Sequence, residues 1–69
     1  MTKDAFKKLF DDNFESVRNY IYYRSGDAEL ATDIAQDVFM KVWEKQFDNT
    51  KNIKALLFKI AHDLFINHY

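Results

Sequence analysis

The chain contains no proline and a single glycine, Gly26, among its 69 residues, so it is almost free of the two residues that most strongly interrupt regular structure. Few breaks mean long elements. At Ser25-Gly26-Asp27 a helix stop, a residue suited to the left-handed αL conformation and an N-cap follow one another directly. Two helices are therefore expected to meet there at a tight corner. Before it, Phe6, Leu9, Phe10, Phe14, Val17, Tyr20 and Ile21 recur at helical spacing, with Thr2 or Asp4 available as a cap near the start. After it, Ala31, Ile34, Ala35, Val38, Phe39, Val42 and Trp43 fall on one side of a helix and form a core stripe. The stretch from Phe47 to Asn52 is turn-rich, with Asn49, Thr50 or Asn52 able to cap a third helix. The expected fold is an all-α, compact three-helix domain occupying residues 1–69, with helices over roughly 4–25, 28–46 and 53–69.

A chain this short holds one small domain and buries only about 60% of its unfolded surface. Hydrophobic residues make up 48% of it, including seven Phe, four Tyr and one Trp, which is ample for a helical core. With no cysteine there is neither a disulfide nor a thiolate metal site. No apolar run is long enough to span a bilayer, and the N-terminus lacks the apolar segment of a signal peptide. A soluble, cytoplasmic protein is expected. The net charge of −1 argues against a domain that holds nucleic acid through a general basic surface. Its distribution says more: residues 27–46 carry five acidic side chains against two basic ones, whereas the segments on either side are each slightly basic.

That acidic helix displays one misplaced residue. Met40 falls opposite the core stripe, ringed by Glu29, Asp33, Gln36, Asp37 and Glu44, where solubility alone favours another polar side chain. Singly exposed apolar residues are common. Yet a flexible thioether among carboxylates also has the character of a docking surface for a partner with basic groups. The third helix carries two stripes. Ile53, Leu56, Leu57, Ile60, Ala61 and Leu64 form its core side, while Lys54, Phe58, His62, Phe65 and Tyr69 line a flank. Aromatics interleaved with basic residues can stack unpaired bases, although aromatic stripes in small helical domains are more often core. The pattern stops at Tyr69 without a closing residue, and the chain is read as part of a longer protein.

Catalytic arrangements are missing from the sequence. His62 and Asp63 are adjacent and point about 100° apart on a helix, His68 is again turned away, and no second ligand pair supports them. Ser16 and Ser25 have neither a glycine-rich elbow nor a nearby base. One glycine cannot build a phosphate-cradling loop. Neither an enzyme nor a cofactor is expected.

Three segments together carry a resemblance. Gly26-Asp27-Ala28-Glu29 leads into Asp33-Ile34-Ala35-Gln36-Asp37-Val38-Phe39-Met40-Lys41-Val42-Trp43, and Ala55-Leu56-Leu57-Phe58-Lys59-Ile60-Ala61-His62-Asp63-Leu64 comes after them. The combination resembles the second conserved region of bacterial sigma factors, and most of all the extracytoplasmic-function group of the sigma-70 family. The likeness extends over nearly the whole chain from Phe6. Its most specific part is the Gln-acid-x-Phe-x-x-x-Trp core of the second helix, paired with a Leu-aromatic-basic-Ile-Ala run.

The resemblance implies a function in two parts. The acidic face of the second helix would bind the clamp-helix coiled coil of the largest catalytic subunit of RNA polymerase, through Asp33, Gln36, Asp37 and Met40 with Trp43 nearby. The third helix, with a further segment after it, would capture the non-template strand of the minus-ten promoter element and help open the duplex, through Lys54, Phe58, Lys59, His62 and Phe65. An anti-sigma factor is a further candidate partner for the Met40 face. This sequence departs from the family where Trp, Arg and Asn are frequent, having Leu56, His62 and Asp63 instead. Two rivals come from other classes. One is a helix-turn-helix regulator of duplex DNA, suggested by the Gly26 corner but disfavoured by the acidity of the helix after it. The other is a helical module that self-associates through its aromatic surface.

Overall fold

The computed structural model of the protein describes residues 1–46 and 52–68. Among these residues three helices, α1 (Lys3–Ser25), α2 (Ala28–Lys45) and α3 (Ile53–His68), pack against one another around a single core. No strand occurs among the described residues. The all-α expectation holds, with boundaries shifted by a residue: α1 begins at Lys3, and α2 ends at Lys45. The expected end of the third helix at Tyr69, and the possible caps Asn49 and Thr50, lie outside the described residues.

The helix ends are set by side-chain chemistry. Thr2 has extended backbone and its hydroxyl oxygen accepts the Ala5 amide at 3.1 Å, which satisfies one of the orphan donors of the first turn. Gly26, at φ 69°, donates its amide to the Tyr22 carbonyl at 2.8 Å and closes α1. Asp27 immediately starts α2 by accepting the Leu30 amide at 3.1 Å. Asn52 does the same for α3, its side-chain oxygen accepting the Ala55 amide at 3.0 Å. The far end of α2 is closed by Gln46, which adopts φ 52° without being glycine. Its side-chain oxygen accepts from the Met1 ammonium at 2.9 Å, and its side-chain amide donates to the Trp43 carbonyl.

The core is built on α2. Ala31, Ile34, Ala35, Val38, Phe39 and Val42 are all buried, joined by Val17 and Ile21 from α1 and by Leu57 and Ala61 from α3. Phe39 is the hub. Rings of Phe6, Phe10 and Phe14, spaced one turn apart on α1, lie 6.4, 5.0 and 6.0 Å from it between centroids, within the range where aromatic pairs add to plain burial. One expected member of the α2 stripe differs. Trp43 is 37% exposed, at the edge of the stripe, where the Phe6 ring of α1 meets it at 5.0 Å between centroids.

On α3 the expected core side is half-buried at Ile53, Leu56, Ile60 and Leu64 and closed only at Leu57 and Ala61. No helix among the described residues is long and apolar enough to cross a membrane.

Candidate functional site

The α2 positions singled out in the sequence lie outside the core. Asp33, Gln36, Asp37 and Met40 are all exposed, and Met40 reaches 57%. Three, four and seven residues separate them, so they share one side of the helix. Glu29 and Glu44 continue that side in both directions and are also exposed. The result is a carboxylate-rich strip with one flexible apolar side chain in it.

A groove borders this strip. Between α1 and α2 lies a cavity of about 600 Å³ lined by Lys3, Phe6 and Phe10 on one side and by Gln36, Phe39, Met40, Trp43 and Glu44 on the other. Its floor is the buried Phe39, and its charged atoms come only from Lys3 and Glu44 at the margin. Gln36, Met40 and Glu44 thus belong both to the strip and to the groove. Asp33, a turn nearer the start of α2, lies away from the groove. It borders a shallow cleft with Arg18, Glu29 and Thr32, in which the Arg18 Nε donates to the Thr32 hydroxyl at 2.9 Å and that hydroxyl donates to the Ala28 carbonyl at 3.0 Å.

The α3 positions divide differently. Lys54, Lys59 and His62 are exposed, whereas Phe58 and Phe65 are half-buried and packed against the core. Phe58 meets the Tyr20 ring edge-on, with centroids 5.3 Å apart and planes inclined by 71°. Tyr20 is itself covered by Arg24, whose guanidinium carbon stands 3.7 Å from the ring centroid while its Nη1 donates to the Tyr20 carbonyl at 3.1 Å. The Tyr20 hydroxyl lies 3.4 Å from His62 Nδ1. Arg24, Tyr20, Phe58 and His62 therefore form one connected cluster across α1 and α3. Tyr69, the last residue of the flank, lies outside the described residues.

Sequence reasoning did not single out Lys3, Phe6 and Phe10 as a second wall beside Met40. Their spacing marked the two phenylalanines as core, which is half true: both are half-buried and turn one edge to the groove. Among the described residues no group of three or more His, Asp or Glu side chains is disposed to hold a metal ion.

The sequence profile of Sigma-70 region 2 matches residues 9–69. The chain belongs to the Sigma-70 region 2 family. Among curated relatives of this region 2 chain, RNA polymerase sigma factor YlaC of Bacillus subtilis is 33% identical over 69 residues, covering 97% of this chain and 40% of that protein. The ECF RNA polymerase sigma factor BldN of Streptomyces coelicolor is 32% identical over 69 residues, covering 96% of this chain and 26% of that one. The region 2 chain thus spans well under half the length of either relative, one of which is an ECF sigma factor. A 54-residue stretch is also 37% identical to a methionine–tRNA ligase of Streptococcus pneumoniae, over 77% of this chain but 10% of that enzyme. So small a share of the enzyme carries no argument about its activity. No solved structure matches the region 2 sequence significantly.

Proposed function

We propose that this chain is the polymerase-binding and promoter-opening module of an alternative sigma factor that acts in transcription initiation in the cytoplasm. Helix α2 binds the clamp helices of the largest catalytic subunit of RNA polymerase through Asp33, Gln36, Asp37 and Met40, with Trp43 beside them. The observation that carries this reading is Met40, exposed among carboxylates on a helix that lies within the residues matched by Sigma-70 region 2. Charged positions around an apolar contact give orientation and on-rate, while the contact itself supplies much of the affinity.

Helix α3 meets the non-template strand of the minus-ten element. Lys54, Lys59 and His62 are exposed and suited to phosphate and base contact, and the partly exposed edges of Phe58 and Phe65 offer stacking area. A segment after α3 completes the grip on unpaired bases. An anti-sigma factor that covered the Met40 face would silence the module by competing with polymerase. The mechanism is recognition, with no chemical step.

The test is retention of the chain on immobilised clamp helices. Asp37→Lys and Gln36→Ala should each weaken binding, by about 1–3 kcal/mol where a desolvated polar contact is lost, while circular dichroism stays that of the parent. Equal retention of parent and variants would exclude this use of the acidic face.

A further inference from the structure

We propose that the groove between α1 and α2 seats a bulky apolar side chain carried by a basic helix of the polymerase clamp, so that α1 supplies the second wall of the polymerase interface. The inference rests on the reading of α2 as polymerase-binding and adds to it an anchor point, the participation of Phe6 and Phe10, and the chemistry of the occupant.

The shape of the groove comes first. Phe6, Phe10, Phe39, Met40 and Trp43 supply the apolar lining of an open groove of about 600 Å³ between two helices, which leaves room for a large apolar side chain. Its mouth exposes Trp43 and Met40, residue types over-represented at interface centres. An amphipathic helix laid along such a groove inserts one large side chain and places its neighbours a turn away over the rim.

The rim decides what kind of helix. Glu44 borders the groove, and Asp37, Asp33 and Glu29 continue along the exposed side of α2. A partner crossing them needs Lys or Arg beside its anchor. The same carboxylates work against other occupants. A second copy seated symmetrically would bring two acidic strips together, and nucleic acid or an anionic lipid surface would be repelled. Continuity favours the clamp, because Gln36 and Met40 line the groove and also belong to the strip proposed to bind it.

Trp43 is the sole tryptophan of the chain, so its fluorescence reports occupancy of the groove directly. A purified clamp-helix coiled coil titrated into the 69-residue chain should shift Trp43 emission to shorter wavelength and reduce its quenching by acrylamide at least about twofold. Phe6→Ala should weaken that binding about tenfold or more, the effect of removing one apolar contact from an interface centre. Should Phe6→Ala fail to fold, the quenching of the parent decides alone. Binding that Asp37→Lys abolishes, with Trp43 emission and quenching unmoved throughout, would overturn the groove proposal and leave the role of α2 standing. Absence of any binding would overturn both. A blue shift that grows with protein concentration and no clamp helices present would assign the groove to a second copy and overturn the proposal.

Discussion

Trp43 leans on Phe6, the two rings 5.0 Å apart between centroids and inclined by 56°. The contact joins the last turns of α2 to the first turns of α1, and it leaves the indole neither buried nor free. The ring of Phe6 packs against it, and the indole also lines the groove. A residue held in place yet partly uncovered needs little ordering when a partner arrives, which lowers the entropic cost of binding. The structural and the proposed binding roles of Trp43 thus come from the same placement.

Phe39 should be the most damaging position to truncate. It is 1% exposed and surrounded by Phe6, Phe10 and Phe14, so Phe39→Ala removes a large buried ring and leaves a cavity costing about 3–5 kcal/mol. In a domain of this size that is most of the folding free energy. Urea denaturation gives the number, and a midpoint close to that of the parent would contradict the position of Phe39 at the centre of the core.

Gly26 separates conformational strain from crowding. A Cβ added there meets no atom within 4 Å, but φ is 69°, so Gly26→Ala should cost about 1–2 kcal/mol through the left-handed backbone alone. Asn tolerates that region better. Gly26→Asn should therefore lie between the parent and Gly26→Ala in a thermal melt, and equal melting temperatures for all three would argue against an αL requirement.

Tyr20 makes a ring contact and a hydroxyl contact of unequal weight. The hydroxyl is 3.4 Å from His62 Nδ1 at an exposed site, near the limit of a useful hydrogen bond, whereas the ring is packed by Phe58 and Arg24. Tyr20→Phe should change stability by less than about 0.5 kcal/mol. Tyr20→Ala should cost several times more. Paired chemical denaturation of the two variants checks the ranking, and a reversed order would give the hydroxyl the larger share.

DNA binding by these residues alone should be weak. Stacking contributes about 1–3 kcal/mol per base, Phe58 and Phe65 of the α3 flank are already half-buried, and a net charge of −1 adds little attraction. Fluorescence anisotropy at low salt should detect at most a slight preference for single-stranded minus-ten DNA over duplex. Tight, sequence-selective duplex binding would instead favour a helix-turn-helix regulator.

Where residue chemistry has a local mechanism, it was legible. Thr2, Gly26 and Asp27 occupy the capping positions their types suggest, because each cap depends on atoms within a few residues. The exposure of Met40 came from helical period alone. Gln46 is the counterexample: nothing in glutamine signals an αL helix end, and its side chain is held by Met1, far away in sequence. Trp43 and the groove were hidden for a related reason. Periodicity gives the direction of a side chain, but whether a second helix closes over it depends on how the two axes diverge. The same holds for Phe58, whose stripe was visible while the Tyr20 ring that meets it could come only from the packed helices.

The two-residue corner at Gly26 and Asp27 also has a consequence in time. It brings α1 and α2 together across almost no intervening chain, so the entropy of loop closure is small, and contacts between sequence neighbours favour rapid folding. No proline is present to impose a slow isomerisation phase. The hairpin of α1 and α2 can therefore form early in refolding, and since those helices are the two walls of the groove, a nascent chain would hold the proposed docking surface before α3 has been added.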